Sequence, residues 1–189
     1  MNHLMLSLET LSRKANSPIV AIGAVFFEPS TGCTGKRFYT RVDIDSSLNY
    51  GAKVSGGEIK TLLRLDPESR AELVGTGSPC LSEALSQLSQ FISDNQFPVG
   101  LEYTKVWGAE VAAHLRVAYE RTSLPVPWEP EADLDVKTVC VLGKFIGFDH
   151  ARDLAFNGKP GCAVDDAVHK SIYVSHIFQH LIADKEPML

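Results

Sequence analysis

Residues 18–27 read PIVAIGAVFF, a near-continuous apolar run of strand length. A run of this kind calls for a buried strand. It falls well short of the roughly 18 apolar residues that a bilayer-spanning helix needs, so it points to the sheet of a globular domain. Just before it, residues 3–11, HLMLSLETL, are also apolar with a β bias and carry a single acid, Glu9.

The run is followed by EPSTGCTGK, a turn rich in Pro, Gly, Ser and Thr. The next stretch, KRFYTRVDI, alternates. Phe38, Thr40 and Val42 lie on one face and Arg37, Tyr39 and Arg41 on the other. A hairpin over about residues 18–42 is the expected result. Helices are predicted next. GGEIKTLLRLD stops before Pro67, and PESRAELVG is a short helix with Pro in its first turn. SPCLSEALSQLSQFISDN is the clearest helix, with Ser78 as N-cap, Pro79 as first residue, and Leu81, Leu85, Leu88, Phe91 and Ile92 as its apolar stripe. TKVWG reads as a short strand feeding the helix AEVAAHLRVAYERTS. LPVPWEPEAD is a proline-rich loop, and LDVKTVCVLGKFIG reads as helical. A last helix runs over about residues 163–183, with Val164, Val168, Ser171, Ser175, Phe178 and Leu181 near one face. The order of elements predicts a mixed α/β or α+β fold. Residues 1–189 are read as a single domain, a length sufficient for a sizeable core.

Charge and cysteines narrow the setting. The formal net charge of −5 argues against strong non-specific binding to nucleic acid, while leaving room for a local basic groove. Cys33, Cys80, Cys140 and Cys162 have neither zinc-like nor disulfide-like spacing. They suit small buried thiols in a reducing compartment. With no secretory signal and no membrane span in the pattern, a cytoplasmic protein is expected.

Several segments, in order and spacing, resemble one family. They are HLMLSLETL, SPIVAIGAVFF, LDPESRAEL, VWG, LRVAYERTSLPVPW, DVKT and AVDDAVHKSIYVSHIFQHL. Together they look like the exonuclease VIII-like enzymes of phages and bacteria, within the DEDDh 3′–5′ exonucleases. The resemblance implies an RNase H-like α/β fold with a central mixed sheet flanked by helices. It also implies a chemistry. Four carboxylates hold two divalent cations, Mg or Mn, and a histidine activates water as general base. The two metals, about 3.5–4 Å apart, stabilise the attacking and leaving oxygens.

This chain departs from that pattern. The first family motif resembles Asp-x-Glu-Thr, and here Ser7 stands in the aspartate place while Glu9 and Thr10 remain. After Trp107 and Gly108 the family carries an Asn-Gly-rich loop and an aspartate. Here the segment is shortened, Val111 falls near that place, and Glu110 is the acid close by. The family histidine stands five residues before the last metal-binding aspartate, and counting back from Asp166 gives Gly161. Only Glu9 and Asp166 stand at matching places, with Asp165 adjacent. A serine hydroxyl cannot supply the missing charge, so weak or no metal binding is expected.

Ordinary roles stand beside these. Glu9 also suits a strand-end surface acid, and Asp165 and Asp166 suit the positive end of a helix dipole. His169, His176 and His180 share a helix but lack the further ligand and supporting shell of a zinc site. Trp107 and Trp128 read as core or core-edge residues rather than base-stacking platforms. Arg116, Arg121, Lys137, Lys144 and Arg152 either line a phosphate-binding face or scatter over a solvated surface.

Two functions follow from the resemblance. One is a degenerate exonuclease that acts by binding a protein partner or a nucleic acid; the net acidity favours a protein. Because the family occurs widely in phages and prophages, such a copy suits interference with a host nuclease or defence complex. The other is an active metal-dependent 3′–5′ exonuclease on DNA or RNA with a rebuilt site, in which Glu110 or Asp165 joins and His150 is the base.

Overall fold

The structure is a computed structural model, and it describes residues 1–12, 14–64, 67, 70–71, 77–96 and 103–183. Among the described residues, five strands form one sheet in the order β3-β2-β1-β4-β5. They are β1 (His3–Thr10), β2 (Ile19–Glu28), β3 (Cys33–Arg41), β4 (Lys105–Trp107) and β5 (Asp133–Leu134). β1 is central. It pairs antiparallel with β2 and parallel with β4. β2 and β3 form the expected hairpin, turning at Gly32, whose φ of 74° is readily adopted only by glycine. No helix among the described residues is long and apolar enough to cross a membrane.

The pleat of β1 sends alternate residues to two layers. Leu4 and Leu6 meet α3 (Leu81–Asn95) and α4 (Ala109–Thr122) in one core cluster. Met5 faces the other way, against Trp107 and against Ala167, Tyr173 and Val174 of α7 (Ala163–Ala183). Ser7 and Glu9 follow Met5 at intervals of two and so share its face. Among the described residues the remaining α-helices are α1 (Ile44–Asn49), α2 (Gly56–Leu63), α5 (Val136–Phe145) and α6 (His150–Asp153). Trp107 and Trp128 are both buried, and Phe38, Thr40 and Val42 face inward from the hairpin as the alternation predicts.

Four local expectations need correction or fall elsewhere. The helix expected to start at Pro79 starts at Leu81, with Cys80 as N-cap and no side-chain cap. The preceding segment is held extended by α1: Asp43 N–H donates to Pro79 O at 2.9 Å, and Leu81 N–H donates to Ser46 Oγ at 2.8 Å. Leu134, expected to be helical, instead pairs with Trp107 in β5, and Asp135 caps α5 by accepting from Lys137 and Thr138 N–H. The buried face of α7 is carried by Ala163, Ala167, Ser171, Tyr173, Val174, Ser175 and Ile177, so Ser171 and Ser175 of the expected stripe are buried, while Leu181 is exposed and Val164 and Phe178 are half-buried. Small residues four apart let this helix lie close on the sheet. Most of the short helix expected over residues 67–75 lies outside the described residues.

Burial also gives the fold a pH signature. His114 of α4 is 7% exposed, with Nε2 3.4 Å from Ser17 O. Burial, the largest influence, pushes its imidazole below the ordinary 6.5. Below that pH the unfolded chain binds the proton and the folded chain resists it. Stability is therefore fully present above about pH 6.5 and is lost as pH falls through the lowered folded value. Thermal melts between pH 5 and 8 are expected to show this loss, and His114→Leu should make the slope shallower. An unchanged slope would show that His114 is not the source. Some slope should persist, because burial also lowers the pKa of His169.

Candidate active site

Gly23 of β2 stands opposite Ser7 of β1. A Cβ at Gly23 would fall 2.2 Å from the carbonyl carbon of Ala163 and 2.3 Å from the backbone nitrogen of Val164. The missing side chain thus lets the first turn of α7 rest directly on the sheet beside Ser7. Asp166, in that first turn, comes to Ser7 as a result, and its charge also suits the positive end of the helix.

Ser7 is 2% exposed and its hydroxyl donates to Asp166 Oδ2. A third residue, which sequence reading did not single out, completes the group. Lys170 lies one turn beyond Asp166 on α7. Its Nζ is 2.5 Å from Asp166 Oδ2 and donates to Ser7 Oγ at 3.3 Å. The signal was available, since Asp and Lys at i and i+4 share a helix face. Lys170 is only 27% exposed in its side chain and Asp166 36%. The pair is partly shielded from water and a hydroxyl bridges it, so it is screened less than a fully exposed pair.

Glu9 is half-buried, two residues beyond Ser7 on the same strand face. A register shift lies between Glu9 and Thr10, where β1 ends. Asp165 turns elsewhere: its Oδ2 accepts from Lys159 N–H at 2.8 Å, and its side chain packs against Gly158. Gly161 lies in the exposed turn before α7, with φ of 79° and open space where a Cβ would be. A histidine there would have room but a strained backbone.

Beside the group lies a pocket of about 290 Å³ lined by Glu110, Lys137, Lys144, His150, Lys170 and Tyr173 with apolar residues of α4 and α5. Glu110 and His150, the residues considered for a rebuilt site, therefore do face one space. Glu110 is paired with Lys137, however, and Lys144 lies 3.5 Å from Asp149. The His150 ring packs 4.6 Å from that of Tyr173, and its buried Nδ1 has no hydrogen-bond partner among the described residues. Burial, the largest influence, raises the Tyr173 phenol above its usual range, so it stays protonated in neutral solution. Arg116 pairs with Asp133 at 2.9 Å and Arg152 with Asp153 at 2.7 Å, so neither points freely at the pocket. His176 stacks on Phe148, and His169 packs edge-on to Phe156 and Tyr173.

This donor set does not fit a pair of divalent cations. Two such ions need several carboxylates to offset their mutual repulsion. Here the aspartate on α7 is already neutralised by an ammonium, and its neighbour on β1 is a neutral hydroxyl. Among the described residues, no group of three or more His, Cys, Asp and Glu is placed to hold a metal ion.

The model of the Rv2179c-like domain, a 3′–5′ exoribonuclease domain, matches residues 2–178. No curated protein matches the sequence. Among solved structures, the nuclease domain of 3′hExo, a DEDDh family member bound to rAMP, has a TM-score of 0.58. It is 12% identical, over 97% of this chain and 92% of that one. A full-length 3′-exonuclease gives 0.58 at 13% identity, over 96% and 81%. A 3′-exonuclease in a structure of 3′-end-specific histone mRNA stem-loop recognition gives 0.59 at 12% identity, over 97% and 82%. At such identities the likeness is one of fold.

Proposed function

Since the chain belongs to the family of Rv2179c-like 3′–5′ exoribonuclease domains and has the DEDDh exonuclease fold, we propose that it is a degenerate member that binds without cleaving. The observation that carries this reading is Lys170, 2.5 Å from Asp166 and hydrogen-bonded to Ser7. A lysine ammonium can neutralise one carboxylate. It cannot activate water or hold a scissile phosphate between two cations. Glu9 and Asp166 are on this reading relics of a metal site, and Ser7 and Gly161 are the substituted positions.

We further propose a protein partner in preference to nucleic acid. The pocket lysines are compensated in turn, Lys137 by Glu110, Lys144 by Asp149 and Lys170 by Asp166. A surface so balanced attracts phosphates weakly. Beside it α5 presents exposed Val141, Leu142 and Phe145, the last 84% exposed. Exposed apolar side chains of this size, grouped on one helix, suit an interface. A phage-encoded copy that occupies a host nuclease or defence complex is one role of this kind.

The test is a pull-down from the native cell after nucleic acid has been digested, alongside anisotropy of labelled RNA and DNA with chelator present. A stoichiometric protein that survives digestion supports the proposal. Tight nucleic-acid binding with no retained protein would replace the protein partner with nucleic acid.

A further inference from the structure

We propose that Lys170 is this protein's own substitute for a divalent cation, a tethered charge that holds the centre together and closes it to metals. The inference rests on the reading of the site as degenerate, which the Lys170–Asp166 pair carries, and goes beyond it to what the lysine does when a metal is offered. An inactive site with missing ligands could equally be open, with Asp166 facing solvent and free to take up a metal weakly.

The geometry argues for closure. Asp166 Oδ2 receives both the ammonium of Lys170 and the hydroxyl of Ser7, and the same ammonium donates to Ser7 Oγ. Each of the three groups is thus in contact with the other two. Magnesium binds carboxylate oxygen at about 2.0–2.1 Å and demands octahedral space around itself. An ammonium 2.5 Å from the same oxygen occupies that space and repels the ion. Ser7 fits the same logic. A hydroxyl both donates and accepts, so it can stand between an ammonium and a carboxylate, as an aspartate in its place could not. The lysine stem is anchored on α7 one turn from Asp166, so forming the pair requires no movement of the backbone.

Two measurements test this, each with Mn²⁺ as the probe. In the first, lysines of the wild-type protein are acylated briefly and read by mass spectrometry. Lys170 should react several-fold more slowly than Lys137, whose side chain is 77% exposed, and millimolar Mn²⁺ should leave its rate unchanged. In the second, free Mn²⁺ is followed by its paramagnetic resonance signal. Lys170→Met should bind Mn²⁺ at least about tenfold more tightly than wild type, the least expected from removing one positive charge some 4 Å from the ion. Lys170→Arg, which keeps the charge, should stay as silent as wild type.

A rise in Lys170 labelling towards that of Lys137 on adding Mn²⁺ would overturn the proposal, because the metal would then be displacing the lysine. Equal Mn²⁺ affinity in wild type and in folded Lys170→Met would also overturn it. If Lys170→Met fails to fold, the labelling experiment on the wild-type protein decides. Metal-dependent cleavage of RNA by the wild type is a separate outcome. It would remove the degenerate reading whatever Lys170 does.

Discussion

Gly23→Ala is expected to destabilise the fold by about 3 kcal/mol, near the upper end of what one added methyl group does in a packed interior. The new Cβ would meet Ala163 C at 2.2 Å, Val164 N at 2.3 Å and Ala163 O at 2.4 Å. All three are backbone atoms, so no change of rotamer relieves the contact. α7 must lift from β2, and Asp166 leaves Ser7 when it does. Urea denaturation would report the change in midpoint. Gly56→Ala is the natural control, since a Cβ there meets nothing within 4 Å and the site opens α2. A loss below about 1 kcal/mol at Gly23 would mean that α7 does not rest on the sheet as described.

Trp107→Ala should cost about 3–5 kcal/mol, as expected for truncating a large core aromatic. Trp107 is 5% exposed, packs against Phe27, and donates from Nε1 to His3 Nδ1 at 2.9 Å. It ties the short β4 to the centre of the sheet. The result also separates two roles. A base-stacking platform would lose nucleic-acid binding on truncation and keep its stability. A core residue loses stability first. Denaturation curves of Trp107→Ala beside wild type make that distinction without any ligand.

Much of the fold was legible because it is written locally. The apolar run over residues 18–27 became β2, the alternation in KRFYTRVDI became β3, and the last helix has the expected ends. Strand order was not legible, since the pairing of β1 with β4 joins residues about a hundred positions apart. β5 is two residues long and exists only because Trp107 offers an edge. The start of α3 was misjudged for a similar reason. Ser78 and Pro79 look like a helix opening, but α1 holds the backbone extended there. On α7, Ser171 and Ser175 of the expected stripe are buried, but Val164, Phe178 and Leu181 are not, because the face laid on the sheet also runs through Ala163, Ala167, Tyr173, Val174 and Ile177.

Of the candidate site, Ser7, Glu9 and Asp166 were singled out in the sequence, whereas Lys170 was passed over although its i, i+4 spacing from Asp166 was there to read. Ser7 and Gly161 stood out only against the family pattern, and nothing in that pattern flags a lysine one turn after Asp166. Gly161 carries a further message. Its φ of 79° would strain a histidine, so a Gly161→His variant is expected to gain no general base. Residues of a catalytic group act together, and single restorations recover little.

The central claim is that this chain keeps the exonuclease fold without the chemistry, and one measurement reaches it most directly. Purified wild-type protein, in excess over 5′-labelled RNA or DNA single strands, is incubated with Mg²⁺ or Mn²⁺ and the products are resolved by length. The account predicts full-length strands throughout, with wild type, Glu9→Ala and Asp166→Ala indistinguishable. Metal-dependent shortening from the 3′ end by the wild type, lost in both variants, would contradict it.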